Sequence, residues 1–186
     1  MTTRRACLAA ALLTTALTLT GCGEPDPGAG SVPEGWGTLR TKGVDVSYPA
    51  GWREQSAAER GRHNAAAAVR TQGSRKVAVV TVQRGFTEAG SAEQAAIAAE
   101  AGIQLGAEVR GQEDVDLAGT DDAKRIDFSF AATGEDGGPA EGTPVDGVIL
   151  TGLDSSGTTF AVRIDASRGS LPDGDLDRIV DSVEVH

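Results

Sequence analysis

Few side chains in this 186-residue sequence are equipped for covalent or metal chemistry. It has two histidines, His63 and His186, and two cysteines, Cys7 and Cys22. Nucleophilic catalysis needs a nucleophile within reach of a positioned base, and two isolated histidines offer little to build on. His63, between Arg62 and Asn64, reads as a solvated loop residue. Gly152-Leu153-Asp154-Ser155-Ser156-Gly157 lacks the spacing of a Gly-x-Ser-x-Gly nucleophile elbow and reads as a hairpin turn. Zinc needs clustered Cys or His, and none are clustered here. Asp173, Asp175, Asp177 and Glu184 mimic positions 1, 3, 5 and 12 of a calcium loop, but Arg178 stands where that loop turns on Gly. Acids at a helix N-terminus are stabilising in themselves, so this run reads as the start of a helix. Glu113, Asp114 and Asp116, then Asp121 and Asp122, read as a solvated edge strand and its turn. No Gly-x-x-x-x-Gly-Lys loop occurs, and no Gly-x-Gly-x-x-Gly opens a helix after a strand. The residues thus lead us to expect no catalytic set, no metal and no cofactor, and they do not identify a ligand-binding residue.

Cys22 is the one side chain with a defined covalent role. Arg4 and Arg5 form a short positive region, and residues 6–21 are uncharged and mostly Ala, Leu and Thr. At 16 residues the run is shorter than the ~20 that span a bilayer as a helix. A basic start, a short apolar stretch and small residues at its end read as a signal peptide. Its end, Leu19-Thr20-Gly21-Cys22, resembles the bacterial lipobox, in which cleavage leaves an N-terminal Cys that carries the acyl chains. The alternative is an ordinary secretory signal with a chance cysteine. Thr3-Arg4-Arg5-Ala6-Cys7-Leu8 also loosely resembles a twin-arginine signal, although two arginines equally make a plain basic region. Cys7 lies in the removed peptide, so Cys22 is left without a partner for an internal disulfide.

With Arg4 and Arg5 removed and all 27 acids kept, 15 basic residues remain and the formal charge moves from −10 to −12. Such a domain is repelled by nucleic acid and by anionic lipid head groups. Membrane attachment is then expected from the lipid on Cys22, at ~0.8 kcal/mol per buried CH₂, on the outer, extracytoplasmic face. The wealth of Ala, Gly, Asp and Arg suggests a high-GC bacterial genome.

The elements behind the anchor declare themselves by period. Residues 22–35 hold the lipidated Cys and a Gly- and Pro-rich tether with a typical span of ~20 Å. Residues 36–186 have the length of one domain. Val44, Val46 and Tyr48 alternate with Asp45 and Ser47, and Pro49-Ala50-Gly51-Trp52 turns the chain. Strands are predicted over 65–70 and 76–84 around Gly73; the second is apolar on both faces and reads as a central strand covered on both sides. Ser91 with Gln94 opens a helix from Ala92 to Leu105, stopped by Gly106, with Ala92, Ala96, Ala99 and Ile103 on its buried face. Residues 109–117 read as an edge strand, and 123–131 as a strand with Ile126, Phe128 and Phe130 inward. The Gly- and acid-rich run 133–143 reads as a mobile loop. Residues 145–153 and 158–166 form a hairpin with Phe160, Val162 and Ile164 on one face. A last helix from about Asp173 buries Leu176, Ile179, Val180 and Val183. Trp52 is expected in the core, and Trp36 either caps the sheet or is exposed for a partner.

A mostly antiparallel sheet with segregated helices is an α+β arrangement. The sequence here resembles the PsbP-like domains, including the LpqN-type lipoproteins of actinobacteria. The resemblance rests on Val44-Asp45-Val46-Ser47-Tyr48-Pro49-Ala50-Gly51-Trp52, with support from the capped central helix, Phe160-Ala161-Val162-Arg163-Ile164 and Ile179-Val180-Asp181-Ser182-Val183. It implies an antiparallel β-sheet sandwiched by helices, no shared catalytic motif, and an accessory or binding role. Three functions compete at this stage: a non-enzymatic protein-binding or assembly factor at the cell envelope, a carrier of a hydrophobic small molecule or envelope lipid, and a hydrolase with an unrecognised carboxylate site.

Overall fold

A computed structural model describes residues 32–186; Cys22, the expected signal peptide and most of the expected tether lie outside the described residues. The described chain is an α+β fold of two antiparallel sheets and two helices, mostly strand. The strands are β1 (Gly37–Arg40), β2 (Val44–Tyr48), β3 (Arg53–Glu54), β4 (Ala66–Gln72), β5 (Arg75–Arg84), β6 (Glu108–Leu117), β7 (Thr120–Ala131), β8 (Pro144–Leu153), β9 (Thr159–Ser167) and β10 (Glu184–Val185). The helices are α1 (Ala92–Ala101) and α2 (Asp175–Asp181). Seven strands form one sheet in the order β3-β4-β5-β9-β8-β7-β6, and β1-β2-β10 form the other.

Alternation along the strands splits the core in two. On one face of the large sheet, Ala66, Ala68, Val80, Val82, Val148, Leu150, Phe160, Val162 and Ile164 pack against Leu39, Val44 and Val46 of the small sheet and against Ile179, Val180 and Val183 around α2. Trp36 and Trp52 pack at the border of this cluster, so Trp36 caps the sheet. The opposite face carries Ile126, Phe128, Ile149 and Ala161, which pack against Ala96 and Ala99 of α1. Each face thus meets one helix, and α1 covers its face without a second sheet. The other is covered by the three-stranded sheet together with α2, because Val44, Val46 and Leu39 form an apolar face of their own.

Three expectations from the sequence change. The first helix ends at Ala101, since the Gly102 and Ile103 N–H groups close it onto the Ala99 and Glu100 carbonyls; Gly106, at φ +84°, belongs to the turn into β6. Leu105 is consequently outside the helix and fully exposed. The last helix begins at Asp175, after Gly174 in the left-handed region, and Val183 lies beyond its end. Finally, β5 is central but covered on one face alone. Ala78, Val80 and Val82 are buried, whereas Val77, Val79 and Thr81 are only half-buried. The reason is where α1 sits: it packs mainly on β8, β7 and β9.

The start of α1 behaves as its sequence predicts. Ser91 Oγ accepts the Gln94 N–H at 3.3 Å, and Gln94 Oε1 accepts the Gly90 N–H at 3.0 Å. Ala92, Ala95, Ala96 and Ala99 are buried and seat the helix close to the sheet. Only about 100 Å³ remains beside Ala99, Gly102, Phe86 and Arg163. Enlarging Ala96, which has no exposed surface, to Leu is therefore expected to overpack this face and cost about 1–3 kcal/mol. Urea midpoints check it, and a variant as stable as the parent would mean that the helix can lift without loss.

Candidate functional site

A hollow lies on the stretch of sheet over β4, β5 and β9 that α1 leaves uncovered. It measures about 510 Å³, within the size range of small-molecule sites. Val69, Val77, Val79 and Thr81 form its floor, Phe130 and Val145 one end, and Asp165 and Ser167 the polar part.

Strand register puts these groups in rows. Val69, Val79, Asp165, Gly147 and Phe128 are cross-strand partners in turn, across five strands. The adjacent row runs Ala67, Thr81, Arg163, Ile149, Ile126. Gly147 matters because it has no side chain: a Cβ there would stand 2.2 Å from the Phe128 ring. A glycine inside a strand often marks such a close approach. The Phe128 ring occupies the space over Gly147 and stacks with Phe130, with centroids 6.1 Å apart. Arg163 then lies over Phe128, its Cζ 4.9 Å from the ring centroid, a cation–π contact. From there Arg163 Nε donates to both oxygens of Asp165, at 3.0 and 2.9 Å. Sheet and rings thus hold an ion pair at the border between α1 and the open floor.

Burial pushes the Asp165 carboxyl above its ordinary range, against the opposing pull of Arg163. Two residues along β9 on the same face, Ser167 Oγ is buried and has no hydrogen-bond partner. An unpaired buried hydroxyl costs free energy.

Two connections wall the cleft. In residues 55–65, Glu59 accepts from Arg53 Nη1 at 3.1 Å and from the Ser56 N–H and Oγ at 2.9 and 2.8 Å. Arg53 first, then Ser56, brings the Glu59 carboxyl down to about 2. Arg60 Nε donates to the Asn64 carbonyl at 2.9 Å. The opposite wall is the loop after β7. Its ends are joined by Ala132 N–H to Thr143 O at 2.9 Å, and Lys76 N–H ties Gly137 O to β5 at 2.8 Å. Glu135, Asp136 and Pro139 of this loop line the mouth.

The sequence-level candidates lie elsewhere. His63 is exposed, and its Nε2 accepts from Arg62 Nε. Asp114 pairs with Lys124 at 2.6 Å and Glu113 with Arg125 at 3.9 Å, so the acids of edge strand β6 are matched across the ladder by bases of β7. The Lys124 ammonium is held above its usual range, chiefly by its hydrogen bond to Asp114 and then by Glu93. Asp175 accepts from Arg178 Nη1 at 3.0 Å, as a helix-start acid. Among the described residues, no three of His, Cys, Asp and Glu come together as a metal site, and no helix is long and apolar enough to cross a membrane. Cys22 lies outside the described residues. Arg163 and Asp165 were missed because Phe160, Val162 and Ile164 drew attention to the other face of β9. Their signal was present: two charges inside a strand flanked by apolar strands, and Gly147 in mid-strand.

No family model matches this sequence, and no curated protein matches it. Among solved structures, a protein from Bacteroides thetaiotaomicron is similar at 12% identity and a TM-score of 0.44, over 77% of this chain and 45% of that one. This chain thus spans less than half the length of that structure. A protein of unknown function from Pseudomonas aeruginosa is similar at 13% identity and a TM-score of 0.41, over 76% of this chain and 90% of that one.

Proposed function

We propose that this protein is a non-enzymatic extracytoplasmic lipoprotein, held at the cell membrane by acyl chains on Cys22, that binds a ligand in the cleft over β4, β5 and β9. The observation that carries the reading is the cleft's make-up: an apolar floor with Asp165 and Ser167 as its polar part, and no nucleophile beside a free base among the described residues. The reading agrees with the lipobox-like Leu19-Thr20-Gly21-Cys22, with the tether after it, and with the likeness to PsbP-like and LpqN-type proteins. Native mass spectrometry of the protein released from envelopes tests it; bound mass is expected on the parent and absent from a variant whose floor is filled by Val79→Phe. Equal bound mass on both would place the ligand elsewhere.

A protein partner is a second reading, favoured by Ile97 on α1, 61% exposed, and by Leu105 just beyond the helix, fully exposed. In that case Ile97→Asp and Leu105→Asp abolish cross-linking to an envelope protein, and Val79→Phe does not.

Anchoring makes its own prediction. Cys22→Ser removes the acyl acceptor, and partition into the detergent phase is expected to fall to background, since the acidic domain offers the membrane no basic surface. Partition equal to the parent would sink the anchor.

A further inference from the structure

We propose that the open edge of β6 docks a basic, extended segment of another protein, which adds to the sheet as a further strand with its apolar residues toward Ile97 and Val109. This edge lies at the opposite end of the large sheet from β4 and β5, so it is a site apart from the cleft.

The two edges of the large sheet differ. β3 closes one with two residues, whereas β6 closes the other with ten. An edge strand turns the N–H and C=O of every second residue away from its neighbour. Among the described residues, no group outside the β6–β7 ladder bonds the main chain of 108–117. Register shifts at Val109/Gly111 and Val115/Leu117 leave Gly111–Val115 as the regular stretch onto which a strand can add. Strand addition of this kind takes its affinity from main-chain bonds and its specificity from alternate side chains.

Apolar surface lies beside the edge. Val109 and Gln112 pair with Phe128 and Ile126, so they share the face of the sheet that α1 covers. Glu93 of α1 reaches Lys124 of β7 at 3.0 Å, and Lys124 also holds Asp114 of β6. Ile97 sits one turn after Glu93 on that flank of the helix, while Ala98 lies on the other flank, with Arg163 of β9. Ile97 and Val109 are both exposed, and an added strand sends alternate side chains onto their face.

Charge chooses the occupant. β6 carries Glu108, Glu113, Asp114 and Asp116 against Arg110, and Arg110 is paired with Asp146 at 3.2 Å. Glu113 and Asp114 meet Arg125 and Lys124, but Glu108 and Asp116 meet no base among the described residues. Antiparallel pairing with a second copy would bring Glu113, Asp114 and Asp116 of both chains together, and like charges set opposite one another destabilise a pair. The stretch before the fold holds Glu24, Pro25, Asp26 and Pro27, which have the wrong charge and lack the N–H groups a ladder needs. A foreign strand with Lys or Arg at alternate positions meets neither obstacle.

Fluorescence anisotropy with labelled octapeptides tests the edge. The protein is the chain from residue 22 bearing Cys22→Ser, at physiological salt, where screening beyond ~8 Å removes the general pull of an acidic chain. The probes are alternating Lys and Val, the same peptide with Glu for Lys, and the Lys-Val peptide N-methylated throughout, which keeps its charge but has no N–H to donate. The Lys-Val peptide is expected to bind at least tenfold more tightly than either control. Glu108→Lys combined with Asp116→Lys should weaken it about tenfold and Ile97→Ser several-fold; all three residues are exposed, so the fold should hold. Val79→Phe, in the cleft, should leave it unchanged. Equal binding of the N-methylated peptide would reduce the contact to charge adsorption and overturn strand addition. Binding that survives the paired Lys changes, or that is lost in Val79→Phe, would place the peptide elsewhere and overturn the edge. No binding of the Lys-Val peptide also overturns it, while the cleft reading still stands or falls by its own mass spectrum.

Discussion

Gly119→Ala is expected to destabilise the protein by about 3 kcal/mol, although the residue is exposed in a two-residue turn. The turn joins β6 to β7, and Gly119 has φ +86°, where an L-residue costs about 1–2 kcal/mol. Space adds a second term. A Cβ at Gly119 would stand 1.8 Å from the Val185 carbonyl oxygen and 2.9 Å from its carbon, and backbone cannot swing aside as a side-chain tip can. Val185 is itself fixed: its N–H donates to Ala118 O at 2.7 Å, it pairs with Val44, and its side chain is buried in the main core. Making room means lifting β10 off the turn, and losing much of one buried Val costs about 1.5 kcal/mol. Gly157→Ala is the control. Gly157 also has positive φ, +76°, but nothing lies within 4 Å of its added Cβ, so only the conformational term of about 1–2 kcal/mol applies. Urea midpoints at constant slope measure both. Equal losses in the two variants would show that β10 does not press on the turn.

That contact also marks where sequence reasoning stopped. Strands with a full period were legible: Val44, Val46 and Tyr48, or Ile126 and Phe128, point to one side because alternation is a local property. β1 and β10 were not, because four and two residues carry too little period to register, and β10 exists only where the chain end meets Asp45 and Ala118. The site failed to show for a related reason. Val77–Val82 reads as a strand buried on both faces, and its composition would suit that place. Whether α1 lies over β5 or over β7–β9 depends on how the sheet is ordered, which no window of sequence contains. The uncovered valines became a cleft floor through topology. Arg163 and Asp165 were legible as residues, but their meeting with Phe128 needs the register that sets Gly147 beside Asp165. The alanine face of α1 was legible throughout, since small residues at helical spacing dictate a close approach whatever the sheet beneath.

Asp154→Ala is expected to have the largest effect of any single surface-loop change, a loss of about 3–5 kcal/mol, the usual cost of removing one partner of a buried ion pair. Asp154 closes the β8–β9 hairpin, and its side chain is 1% exposed. Oδ1 accepts the Ser156 and Thr158 N–H groups at 2.9 and 3.0 Å and the Ser156 hydroxyl at 2.6 Å. Oδ2 pairs with Arg84 Nη2, and Arg84 Nε is buried with no partner. Without the carboxylate, Arg84 is a half-buried charge with nothing opposite. Burial works to raise the Asp154 carboxyl, but the bonds from Ser156, Arg84 and Thr158 outweigh it and lower it to about 2 from 3.8. A carboxyl whose folded value is depressed adds stability that is complete above its unfolded value and fades as pH falls toward the folded one. The Asp154 contribution is therefore expected to be full above about pH 5 and to drain between pH 4 and pH 2. Asp154→Asn separates charge from shape: it keeps an acceptor for the turn N–H groups and loses the attraction for Arg84. Its loss near neutral pH should be smaller than that of Asp154→Ala, about 1.5–3 kcal/mol, and should shrink toward zero as the pH is lowered to 2. Thermal unfolding of the parent and both variants from pH 7 to pH 2 measures the two losses. If the gap between parent and Asp154→Asn stays constant over that range, the carboxylate is not what holds Arg84, and the hairpin stands on its backbone turn alone.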